Sequence, residues 1–165
     1  MANASAGRTA KAKKPATPTW HELAAVTDAK RRLWLRSRNR TGWVVCGREW
    51  DAVAVEPMAA GLDALAAMRA GTRRAYQVLA DHLSDRLYIA VPADSGNTFE
   101  DIPGVRVLSG GHQLLTPSTP QDGTIAADWV SHPRGDKPPA LIAADRFAAH
   151  LREFTAPAHA KASVS

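Results

Sequence analysis

The sequence predicts one α+β domain, with helices packed on a mainly antiparallel sheet. Three observations carry that prediction. The segments run helix, strands, helix, several strands, helix, not in the regular alternation of a parallel α/β fold. The strand-like runs are short and come in neighbouring pairs separated by glycine-containing or polar turns, as antiparallel neighbours do. The chain has 165 residues, 45% of them apolar, which is enough for one core and no more.

Residues 1–18 are mostly Ala, Lys, Thr and Pro without an apolar period. They carry too little apolar surface to offset chain entropy and are expected to form a disordered basic arm. The folded domain is expected over residues 19–155, and residues 156–165 are read as a disordered tail. Thr19 followed three residues later by Glu22 has the form of a capping box. A helix is therefore predicted over 20–36, with Leu23, Val26, Leu33 and Trp34 as an imperfect apolar stripe. Asn39-Arg40-Thr41-Gly42 breaks it.

Two strands, 43–46 and 52–55, are predicted to be joined by a turn at Gly47-Arg48. Pro57 suits the first position of a helix, and Met58, Leu62, Leu65 and Met68 recur at helical spacing over 58–69. Gly71 is the expected stop. The runs 76–80 and 87–91 are read as strands flanking a polar hairpin loop, Asp81-His82-Leu83-Ser84-Asp85. A further pair, 105–108 and 113–116, is joined through Gly110-Gly111, and 127–130 is expected at an edge. A last helix over 140–154 carries Leu141, Phe147, Leu151 and Phe154 on one face.

The net charge of +5 is unevenly spread. Residues 1–40 hold ten Lys/Arg against Glu22 and Asp28, a balance of +8, and the other 125 residues carry −3. A front-loaded cationic segment suits nucleic acid, DNA before RNA, or an acidic protein partner. A solubilising segment is the plain alternative. The cations in question are Lys11, Lys13, Lys14, Arg31, Arg32, Arg36, Arg38 and Arg40. No run of eighteen apolar residues exists, the N-terminus has no secretory pattern, and Cys46 is the sole cysteine. The expectation is a cytoplasmic protein with no membrane partner.

Catalytic constellations are sparse. The sequence has no phosphate-binding GxxxxGK[ST], no GxGxxG and no HExxH, and its six histidines lack ligand spacing. His112, beside Gly110-Gly111, is the histidine singled out, with a turn residue as its plainer reading. Two-metal chemistry needs carboxylates on adjacent strands. Asp51 and Glu56 lie five positions apart, an odd separation that sends them to opposite faces of a strand.

One series of motifs is distinctive as a unit. Leu87-Tyr88-Ile89-Ala90-Val91-Pro92 leads to Ile102-Pro103-Gly104-Val105-Arg106-Val107, then to Gly110-Gly111, Leu114-Leu115-Thr116-Pro117 and Asp128-Trp129-Val130. The series resembles the second half of the bifunctional DNA primase/polymerase N-terminal (prim-pol) domain, in which an HLYF-like strand precedes PGVDVR, a glycine pair and two further strands. Upstream, Cys46-Gly47-Arg48-Glu49-Trp50-Asp51-Ala52-Val53, followed by Pro57 and a helix, is similar to the CG-x-x-[FW]-D-x-V pattern of small stand-alone members. The likeness covers about residues 20–154.

The resemblance implies a prim-pol-like single domain that has lost its chemistry. Active members keep a D-x-D or D-x-E pair, a histidine opening the HLYF-like strand and a third acid in PGVDVR. At those places this chain has Ala54-Val55-Glu56, Arg86 and Arg106. Two cations would repel the Mg²⁺ or Mn²⁺ that the reaction needs and offer it no oxygen ligand. The expectation is a degenerate module without catalytic residues, metal or cofactor, which binds nucleic acid through the cations named above. Arg86, Arg106 and His112 are then candidates for a nucleotide phosphate. Two alternatives stay open: an active metal-dependent nucleotidyltransferase using Asp51, Glu56 and Asp128 with Mg²⁺ or Mn²⁺, and a protein-interaction module whose basic arm meets an acidic partner.

Overall fold

Thr19 opens the fold as the sequence predicts. Its Oγ1 accepts the Glu22 N–H at 3.1 Å and donates to Glu22 Oε1 at the same distance. The computed structural model describes residues 16–135 and 138–164, with side chains described as far as residue 155. Its helices are α1 (Trp20–Ala24), α2 (Asp28–Arg36), α3 (Met58–Ala67) and α4 (Ala144–Val164). The strands are β1 (Thr41–Val45), β2 (Trp50–Val55), β3 (Val78–Asp81), β4 (Arg86–Pro92), β5 (Val105–Leu108), β6 (Gln113–Pro117) and β7 (Asp128–Ser131), with a 3-10 turn at Gly96–Phe99. Most of the predicted basic arm, Lys11, Lys13 and Lys14 included, lies outside the described residues.

The chain is an α+β fold. Five strands form a sheet in the order β5-β2-β4-β3-β7, each neighbour antiparallel, and β1 and β6 form a separate antiparallel ribbon. β7 lies at the edge, as expected for its position. One face of the sheet presents Val53, Val55, Val78, Leu87, Ile89 and Val91 to α1, α3 and α4, and Leu65, Phe147 and Leu151 fill the space between. The other face carries a second, smaller cluster of Cys46, Trp50, Ala52, Leu79, Ala90, Leu108 and Leu114. Leu114 belongs to β6, so the ribbon roofs that end of the sheet.

Four local expectations are corrected. The helix predicted over 20–36 is two helices. Ala25 is extended, and Thr27 caps a new start by accepting the Lys30 N–H at 3.2 Å. A β-branched pair, Val26-Thr27, with a good cap outweighs continuation. Pro57 is the N-cap of α3, whose first N–H, that of Met58, is taken by Asp85 through its backbone carbonyl and its Oδ1. α3 ends at Ala67, short of Gly71. Arg69 supplies the left-handed residue at φ 57°, and two side chains satisfy nearby carbonyls: Trp20 Nε1 donates to Ala70 O and Arg146 Nη2 to Met68 O, both at 2.8 Å. The last helix begins at Ala144, so Leu141 precedes it and packs on the second cluster, while Phe154 is exposed. Its backbone continues to Val164, past the start of the predicted tail.

The predicted strand pairs divide in two. β3 and β4 form the expected hairpin, with Asp81 Oδ1 accepting the N–H groups of Leu83 and Ser84 in the turn. β1 and β2 turn at Gly47 but do not pair, and neither do β5 and β6. In both places the chain passes from one sheet to the other, and the two passages touch. Gly47 has φ +91°, and a Cβ there would collide with the backbone of Gly110, while Cys46 N donates to His112 O at 3.0 Å. Swapping sheets side by side lets each strand keep a full antiparallel partner.

Candidate functional site

Where the ribbon stops, the second face of the sheet is open. Strand alternation places Ala54 of β2 and Glu56 just beyond its end, Arg86 and Tyr88 of β4, and Arg106 of β5 on that face, and the register sets Ala54 opposite both Tyr88 and Arg106. Ala54, Glu56, Arg86, Gly104, Val105 and Arg106 line a cleft of about 250 Å³. Gly104 is what lets β5 come close. It has φ +75°, its carbonyl accepts the Glu56 N–H at 2.9 Å, and a Cβ on it would collide with Glu56 O.

The charges in the cleft are unequal in commitment. Arg86 Nε donates to Glu56 Oε2 at 3.2 Å. The Glu56 carboxylate, with a smaller contribution from Tyr88, pushes the Arg86 guanidinium above its ordinary pKa. Arg106 has no ion pair among the described residues. One acid and two cations leave the open face with a net positive charge that suits an anion.

His112 stands apart from this cleft. It lies in the turn between β5 and β6, exposed, and its N–H donates to Ser109 O at 3.0 Å. Asp51, Glu56 and Asp128 are not brought together. Asp51 is fully buried on the opposite face of β2 from Glu56, where its Oδ2 accepts the Ser95 N–H at 3.2 Å and its Oδ1 has no partner. Asp128 lies on β7, three strands from β2, a separation of roughly 14 Å at the usual strand spacing. Its Oδ2 is taken by Lys30 Nζ at 2.8 Å and His82 Nε2 at 3.0 Å. Among the described residues no three His, Cys, Asp or Glu side chains form a group that could hold a metal ion. No helix among them is long and apolar enough to cross a membrane.

The basic segment is resolved into two kinds of cation. Lys30 is an anchor, since its ammonium serves Leu23 O and Asp128. Arg31, Arg32, Arg36, Arg38 and Arg40 are exposed and form no ion pair among the described residues. They follow α2 and the lead into β1 without interruption.

Two features carried no motif in the sequence. A shallow cleft of about 310 Å³ is lined by Leu23, Thr72, Arg73, Val130, His132 and Arg134, among others, gathered from segments far apart in the chain. Trp43 of β1 is 66% exposed. No family model, no curated protein and no solved structure matches the chain.

Proposed function

We propose that this chain is a catalytically degenerate prim-pol-like module that binds nucleic acid in an accessory or regulatory role. The observation that carries the reading is the run of five exposed, uncompensated arginines, 31, 32, 36, 38 and 40. Solvated guanidinium groups without an acid partner are the contacts that bind phosphates and release counterions. The prim-pol resemblance is supported by position: Ala54, Glu56, Arg86 and Arg106, which it assigns to one site, line one cleft. A buried, unpaired Cys46 fits the reducing cytoplasm.

The test is a salt titration with duplex and single-stranded DNA. Four to six phosphate contacts imply a log-log slope of about −4 to −5 on duplex. Replacing Arg31, Arg36 and Arg40 by alanine flattens it, and salt-independent affinity or no binding at low salt overturns the reading. The same preparation extends no primed or unprimed template with Mg²⁺ or Mn²⁺, because only Glu56 stands where carboxylates would hold the metals. Extension that disappears in Glu56→Ala would restore the nucleotidyltransferase alternative.

A second reading, a nucleotide phosphate held in the cleft, is favoured by one observation: Arg106 faces the opening without an acid partner among the described residues. Titration with nucleoside triphosphate tests it.

A further inference from the structure

β1 begins directly after the arginine run, and its outward face is apolar. Residues alternate along the strand, so Trp43 and Val45 share one face with their cross-strand partners Leu115 and Gln113. Val44 pairs with Leu114, which belongs to the inner cluster, so the Trp43 face is the one turned away from the sheet. Trp43 is 66% exposed and Val45 42%, whereas Trp20 is 2% and Trp50 8% exposed. An indole left in water on a flat ribbon forfeits burial that the other tryptophans obtain.

The arginines lie just before it in the chain. Arg38 and Arg40 are five and three residues before Trp43. The C-terminal part of α2 comes back to the lead into β1. A Cβ at Gly123 would lie 3.1 Å from Trp34 Nε1, and the neighbouring Asp122 accepts the Arg40 N–H at 3.4 Å. On α2, Leu35 is 85% exposed, one turn from Arg31 and Arg32. The acids nearest in sequence are Asp28 at the start of α2 and Glu49 beyond β1; Asp122, 82 residues from Arg40, accepts from Thr119 Oγ1 through its other oxygen at 2.9 Å.

We infer that the β1–β6 ribbon and the C-terminal part of α2 form a platform for a single-stranded polynucleotide, with Trp43 stacking on an unpaired base and Arg36, Arg38 and Arg40 following the phosphates. The occupant is single-stranded because a base inside a duplex offers no free face to an indole. A polyanion fits better than a second copy of this chain, because apposed copies would bring like-charged arginine rows together. This inference rests on the nucleic-acid reading above and narrows it to strand type and to one side chain.

The experiment measures binding of fluorescent oligo(dT), oligo(rU) and a mixed-sequence duplex, each of about 20 nucleotides and so longer than one site. Trp43→Ala, Trp43→Phe and the pair Arg38→Ala with Arg40→Ala are compared with wild type. Trp43→Ala is expected to weaken single-strand binding by roughly 5- to 150-fold, the range one stacked base supplies, and to leave the duplex and the salt slope unchanged. Trp43→Phe is expected to restore part of the loss, and the arginine pair to flatten the salt slope on every probe. Oligo(dT) is expected to quench wild-type tryptophan emission more than that of Trp43→Phe, a readout available even if Trp43→Ala folds poorly. Unchanged single-strand affinity in Trp43→Ala, with salt-dependent binding intact, overturns the platform and leaves the nucleic-acid reading standing. A wild-type dimer that Trp43→Ala converts to monomer overturns it in favour of a self-association face. Wild type that binds no polynucleotide removes both.

Discussion

Lys30 of α2 reaches Asp128 of β7, Nζ to Oδ2 at 2.8 Å, and ties the first helices to the edge of the sheet. His82 Nε2 shares the oxygen at 3.0 Å, and Trp34 lies against the His82 ring with centroids 6.3 Å apart. The carboxylate side chain is 7% exposed, so its removal leaves His82 Nε2 without its partner and Lys30 Nζ with Leu23 O alone. Asp128→Ala is expected to lower stability by about 1.5–3 kcal/mol, the range for hydrogen bonds to charged groups. Asp128→Asn, which keeps one acceptor, is expected to lose less. Denaturant unfolding measures both, and equal losses would show that a neutral acceptor retains nothing and that the carboxylate's charge carries the interaction.

The two glycine contacts make a sharper prediction. Gly47→Ala sets a Cβ against the Gly110 backbone at a φ of +91°, and Gly104→Ala sets one against Glu56 O at +75°. Neither neighbour is a flexible side chain, so each substitution is expected to cost more than about 2 kcal/mol in backbone strain and displacement. Gly110→Ala, with open space around its Cβ and no positive φ, is expected to be mild. Thermal unfolding of the three variants gives the order directly.

Cys46 is 1% exposed, and burial first, then the Asp51 carboxylate, pushes its thiol above the ordinary value of 9.0. The folded pKa is raised, so this contribution to stability is complete below about pH 9 and is lost as pH rises from there through the folded value. Unfolding stability of wild type is expected to decline more steeply across that window than that of Cys46→Ala. A thiol-specific disulfide reagent near neutral pH is expected to leave the native protein unmodified and to titrate one thiol per chain in denaturant.

Glu56 and Arg106 give opposite signs in the cleft. Glu56→Gln removes the negative charge and the charged partner of Arg86, so it is expected to strengthen nucleoside triphosphate binding several-fold. Arg106→Ala is expected to weaken it by roughly tenfold, as for a lost charge-assisted contact. Calorimetric titration of both variants separates a phosphate site from a structural ion pair, since a purely structural Glu56–Arg86 pair would make both substitutions neutral for binding.

Much of the architecture was legible in the residues themselves. Period-two apolar runs at 87–91 and 105–108, helical spacing from Met58 to Leu65, and the Thr19–Glu22 cap are local patterns, and local backbone preference is enough to read them. The odd spacing of Asp51 and Glu56 dictated opposite faces for the same reason. What lay beyond the sequence was every property that depends on a distant partner. Thr27 became a cap where a continuous helix was predicted, and Lys30 became an anchor because Asp128, 98 residues on, stands opposite it. The hairpins expected at Gly47 and at Gly110-Gly111 dissolved because two passages between sheets press together, a contact that neither segment encodes alone. Trp43 opens a predicted strand, but its exposure is decided by which face of a two-stranded ribbon the roofed sheet leaves to solvent. Short-range pattern determines the kind of element. Long-range packing determines which of its side chains remain free to bind.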